Sequence, residues 1–218
     1  MISLINKFSI LLYGVASIAL FKLFQDSILL NLWLLKTFDL TFLGLSITKT
    51  VIGMVFALSF VHVLNNSLQD NRILPGIINL RSAWFVLAIL ASYTTAYYLT
   101  PTEPYMQNFL KGLSSQEIAV KVISTIILPP ILEELIFRGI FLSSFLNLLG
   151  ERLGYIAGGI IVSTVFAWMH SQYSIQTQIL MFTVSVIFCA ARYYSKGLAL
   201  PIALHALCVI IGIASEYI

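Results

Sequence analysis

Long apolar runs, separated by short polar stretches, recur along this chain and set its organisation. A membrane-crossing helix needs about 20 mainly apolar residues. Residues 6–24, 48–64, 82–100, 155–171, 175–192 and 198–216 each meet that need. The stretch 28–47 is apolar but carries Lys36 and Asp39, so it reads as an interfacial segment or a poor extra span. Between 118 and 149 the chain is apolar for more than one crossing, with Pro129-Pro130 dividing it. Proline removes a backbone donor and is welcome in the first turn of a helix, so a new helix or a sharp kink is expected near 130. The loops are 65–76, 100–117, 150–154, "SQYS" and 193–197. In the second of these, Ser114 or Ser115 is placed to cap the next helix. The pattern predicts an all-α polytopic membrane protein with about seven transmembrane helices, six to eight allowing for the ambiguous pieces.

Composition agrees. Of 218 residues, 59% are hydrophobic and 10% charged, against about 25% charged in a soluble domain. The mean hydropathy is +0.96. A net charge of +3 without a basic run excludes nucleic acid as the natural partner. Loop lysines and arginines slightly favour a cytoplasmic N-terminus. The first apolar run, which follows Lys7, lacks a small-residue cleavage site and reads as a retained helix. Cys189 and Cys208 fall in apolar segments and read as buried thiols, with no disulfide or zinc-type spacing. His62 reads as interfacial, and Trp84, Tyr193 and Tyr194 as interface anchors.

Against this background one stretch stands out: "ILEELIFRG", residues 131–139, places three charges in an apolar run. Each costs about 2.5–3.5 kcal/mol in the bilayer centre. Helical spacing separates their roles. Glu134 and Arg138 are four apart and share a face, so they can pair. Glu133 is turned by about 100° and has no partner on its own helix. An unpaired carboxylate in a low dielectric is the setting in which a general base is made. The bland alternative is a Glu-Arg pair holding helices together, with Glu133 facing water.

Counting back from the 150–154 turn brings a histidine to the glutamates. Glu133 before the turn and His170 after it lie at similar depth, about 25 Å in. Phe166 lies four residues before His170 and offers an aromatic wall to the imidazole. His205 lies in another apolar span, but counting from the 193–197 turn puts it only about 12 Å in. It reaches the glutamates only if that turn is sunk in the protein or the helices tilt. Interhelical packing is the alternative role for each histidine.

Three motifs in order, "EELIFRG", "FAWMH" and "LPIALH", resemble the CPBP group, the family of CAAX prenyl endopeptidases and bacteriocin-processing or Abi proteins. The family pattern is E-E-x-x-x-R, F-x-x-x-H and H-x-x-x-N/D. The resemblance covers about residues 118–216, so 118–218 is expected to be the catalytic helical core and 1–117 the N-terminal helices and loops of one membrane domain. It implies an intramembrane protease with its site among the last four spans. Glu133 and His170 would activate water, His205 would stabilise the oxyanion, and Glu134 and Arg138 would structure the site. Glu133, His170 and His205 are conceivable zinc ligands, but without H-E-x-x-H a metal-free site is expected. Where the family has Asn or Asp four residues after the third motif's histidine, this chain has Val209.

The expected function is therefore endopeptidase action on a membrane-associated peptide or lipid-modified protein, in a multi-pass protein of the bacterial inner membrane. Membrane lipids would surround it, and a partner membrane protein is conceivable. An idle family member acting as scaffold, immunity or regulatory protein is the alternative that Val209 supports. A proton-coupled carrier is less favoured, since no internal repeat is visible.

Overall fold

The computed structural model describes residues 4–68, 73–100 and 102–217, and its secondary structure is helical throughout. In chain order the helices are α1 (Leu4–Asp26), α2 (Ile28–Phe38), α3 (Phe42–Ser67), α4 (Ala83–Leu99), the short α5 (Pro104–Gln107), α6 (Ser115–Glu134), α7 (Leu142–Leu149), α8 (Glu151–Leu153), α9 (Gly159–Met169), α10 (Ile175–Ser195) and α11 (Ala199–Tyr217). Two π-helical segments, Leu135–Phe141 and Gly154–Gly158, join α6 to α7 and α8 to α9.

Among the described residues, six helical stretches are long and apolar enough to cross a membrane: Asn6–Asp26, Phe42–Asn66, Leu80–Leu99, Glu151–Met169, Ile175–Ser195 and Ala199–Tyr217. The α6–α7 path is also membrane-length, about 50 Å if straight, but is more charged. Many large apolar side chains, among them Leu12, Leu29, Leu99 and Ile123, face outward. In a bilayer that face meets lipid tails, which are as apolar as the core. The chain is an integral, multi-pass membrane protein.

Several sequence expectations need correction. No new helix starts at Pro129-Pro130: α6 runs through both prolines to Glu134. Each proline withdraws a donor from the carbonyl four residues back. Breaking the helix at membrane depth would strand more backbone groups than two prolines do. The three charges accordingly lie at the end of α6 and in the π segment, not in the first turns of a new helix. The ambiguous 28–47 stretch divides at Asp39, which closes α2 in the left-handed region at φ 49°. What remains, α2, is too short to span, and α3 starts at Phe42 rather than near 48. The 150–154 turn shrinks to Gly150, with helix resuming at Glu151. The cap at Ser114 is present, in a reciprocal arrangement with Glu117.

The π segment sits at the centre of the larger core. Phe137, Ile140 and Phe141 are buried there with Ile10 and Ile18 of α1, Ala57 and Leu64 of α3, and Val162 and Phe166 of α9. A second core joins Ile89 of α4, Val184 and Phe188 of α10, and Leu200, Leu204 and Cys208 of α11.

The turn before α11 is held by the segment after α3. Leu198 and Ala199 donate to the carbonyls of Leu74 and Pro75 (3.0 and 2.7 Å), and Ile77 donates to Ser195 (2.9 Å). The first two bonds satisfy donors that the start of α11 leaves open, and the third satisfies a carbonyl at the end of α10. Gly76 and Gly197 make the approach possible: a Cβ on Gly197 would lie 2.2 Å from the Gly76 nitrogen.

Candidate active site

The site is assembled from α6, the π segment, α9, α10 and α11. Arg138 in the π segment donates to Glu134 Oε1 at 2.9 Å, and both side chains are fully buried. The i, i+4 pairing expected from spacing is present. Arg138 reaches further: its Nη2 donates to the Ser185 carbonyl at 3.1 Å and to the Ser185 hydroxyl on α10. Its guanidinium lies 4.8 Å from the Phe166 ring and 5.0 Å from Phe188, within cation–π range. Phe166 is the common wall of the site, 4.6 Å from the His170 ring and 5.7 Å from His205.

Glu133 is partly buried, and its Oε2 has no hydrogen-bond partner among the described residues. It faces two imidazoles. His170 Nε2 lies 4.0 Å from Oε2 and His205 Nε2 lies 3.9 Å from it. His205 Nδ1 lies 3.0 Å from Glu134 Oε1. Thus the three residues implied by the resemblance converge on one point.

The depth mismatch for His205 has a local cause. Leu198 packs on Gly139, 3.4 Å from where a Cβ would be. The turn before α11 thus reaches the π segment through Leu198, while its Lys196 bonds Glu151 beside Gly150 at 2.6 Å. Measured from Gly139 and Leu198, Glu133 and His205 are each about 10 Å along their helices.

The imidazole tautomers follow from their partners. His170 Nδ1 sits 2.8 Å from the Phe166 carbonyl, which only accepts. The Nδ1–H donates there, leaving the neutral ring's Nε2 lone pair toward Glu133. An ionised Glu134 likewise fixes the His205 proton at Nδ1, so its Nε2 carries a proton only in the imidazolium form.

Glu133 and His170 line a cleft of about 250 Å³, along with Lys22, Gln25 and Asp26 at the end of α1, Ser46 and Thr50 of α3, and Gln172. Phe21 lines this cleft and also an apolar groove of about 270 Å³ between α1, α3 and the π segment. Ser185, Phe188 and Arg192 were missed in the sequence, although their spacing puts them on one face of α10. Arg192 is buried and donates to Ser143 at 2.6 Å. Val209 lies one turn beyond His205 on α11 and is half-buried.

Comparison with known proteins adds a family. The model of the type II CAAX prenyl endopeptidase Rce1-like family matches residues 115–211, which include Glu133, Glu134, Arg138, Phe166, His170, Phe188 and His205. A protein of Escherichia coli described as an uncharacterized 24.3 kDa protein is 32% identical over 149 residues, covering 64% of this chain and 68% of that protein. The chain belongs to the Rce1-like family. No solved structure matches it. In this Rce1-like protein Glu133, His170 and His205 lie on three separate elements of the matched stretch and meet at Glu133.

Proposed function

We propose that this protein is an intramembrane endopeptidase that hydrolyses a peptide bond by water activated at Glu133 and His170. The observation that carries the reading is the pair of separations, 4.0 and 3.9 Å, from Glu133 Oε2 to the two histidines. Two hydrogen bonds of about 2.8 Å meeting on one water span about 4.0–4.6 Å. A water between Glu133 and His170 would give its proton to the carboxylate, with the His170 Nε2 lone pair accepting from the other hydrogen. The oxygen would add to the substrate carbonyl. His205, as imidazolium, would donate from Nε2 to the oxyanion while Glu134 holds Nδ1–H. Glu133 would then return its proton to the leaving amine. Glu134, Arg138 and Phe166 hold these groups in register.

The same separations fit zinc poorly. Tetrahedral ligands at about 2.0–2.1 Å lie about 3.3 Å apart, and among the described residues no three His, Cys, Asp or Glu side chains are placed to hold a metal ion. The mechanism is therefore derived without a metal.

The substrate is proposed to be a membrane-associated peptide or a lipid-modified protein. The apolar groove that shares Phe21 with the polar cleft offers a lipid chain and the scissile segment adjoining places. The bacterial inner membrane is the proposed location. The test is cleavage of prenylated and unmodified peptides by the parent, Glu133→Ala and His170→Ala proteins. Cleavage by the parent alone is expected; equal cleavage by all three ends the proposal. Val209 supports a second reading, an idle scaffold, immunity or regulatory protein, which predicts no cleavage by the parent under any condition.

A further inference from the structure

His170 lies just past the last helical residue of α9, with φ −97° and ψ 32°. The Phe166 carbonyl of α9 holds its Nδ1, and the link from 170 to 174 sets the backbone that carries it. That link is gripped from outside the spans by the segment carrying α5. Glu103, buried despite lying in this loop, accepts from the Ser174 hydroxyl at 2.6 Å, from the Ser174 backbone N–H at 3.2 Å, and from the Thr177 hydroxyl. Ser174 is the N-cap of α10, so the carboxylate also sits at the favourable end of that helix. Burial pushes the Glu103 carboxyl up, but the hydrogen bonds from Ser174 and Thr177 outweigh it and hold it below the usual glutamate range.

The grip continues to the imidazole. Tyr105 packs edge-on against Tyr173 at 5.2 Å, and the Tyr173 hydroxyl donates to Met106 Sδ at 3.7 Å. The Tyr173 ring lies parallel to His170 at 6.4 Å, and its N–H donates to the His170 carbonyl at 3.1 Å. Tyr217, at the far end of α11, anchors the strap by donating to the Met106 carbonyl and accepting from the Leu110 N–H.

We propose that Glu103 is a positioning residue for His170, acting through Ser174 and Tyr173 to set the imidazole against Glu133. This rests on the peptidase reading only for its kinetic consequence. The chain has three histidines, so 15N-histidine labelling gives three imidazole sites, assignable with His62→Gln, His170→Gln and His205→Gln. In Glu103→Ala the His170 signals are expected to shift or broaden, with His62 and His205 unmoved. Peptide cleavage should lose about tenfold or more in kcat, with KM held. Glu103→Gln, which keeps one acceptor oxygen, should fall between. Unmoved His170 signals, or equal changes at all three histidines, would overturn the proposal. Should Glu103→Ala fail to fold, Tyr105→Leu tests the same grip by the same signals. A parent protein that cleaves nothing would sink the peptidase reading, while the imidazole signals would still decide this one.

Discussion

The His205 imidazole is bonded through Nδ1 to Glu134 Oε1 at 3.0 Å, on the same oxygen that receives Arg138. Oε2 of each glutamate lacks a hydrogen-bond partner among the described residues, but Glu134 is fully buried with two donors on Oε1, while Glu133 is partly exposed to the cleft. Glu134→Gln should therefore act on stability. Removing one member of a buried ion pair costs about 3–5 kcal/mol. Glu133→Gln should abolish cleavage with little change in stability. Unfolding in mixed detergent, run beside a cleavage assay, separates the two; similar stability losses would contradict the assignment.

His205→Phe keeps an aromatic ring against Phe188, 5.2 Å away in the parent, but removes the donor. The loss of one oxyanion donor is typically worth about 10²–10³ in kcat. We expect a fall of that order with KM held within about twofold, read from steady-state kinetics. A change confined to KM would place His205 in substrate binding instead.

Val209→Asn restores a polar side chain one turn beyond His205. If the oxyanion site lacks a donor, kcat should rise, by up to about tenfold given what single donors contribute elsewhere. A stable variant with unchanged or lower kcat would show that the site does not use this position.

The lowered pKa of Glu103 carries a pH signature. Its folded pKa lies below its unfolded one, so its stabilisation is present above the unfolded value. It is lost as pH falls through the folded value. Glu103→Gln should lower the thermal midpoint at neutral pH and flatten its decline between about pH 5 and 3. Parallel pH curves for parent and variant would be the contrary result.

What could be read in the sequence were relations along single helices and across the shortest turn. The i, i+4 spacing of Glu134 and Arg138 assigned the pair, and symmetry about the 150–154 turn brought His170 to Glu133. His205 resisted because its level depends on backbone pairing between 74–77 and 195–199, which no periodicity records. Ser185, Phe188 and Arg192 resisted because helix rotation against distant partners is not written in one helix. Pro129-Pro130 misled because local propensity gave way to the bilayer's demand for a continuous hydrogen-bonded backbone.

The two glycines that meet beneath α11 have a consequence out of proportion to their chemistry. Asn65, at the end of α3, holds Ile73 by two hydrogen bonds (2.7 and 3.1 Å), and three residues on Gly76 abuts Gly197. A methyl group at either glycine must push the turn and α11 apart from their support. A slide of one residue's rise is about 1.5 Å, comparable to the difference between a hydrogen bond and none. The setting of His205 is thus adjustable from a contact that touches neither water nor substrate. Gly197→Ala would be a mutation that leaves every chemical group in place and takes the imidazole out of focus.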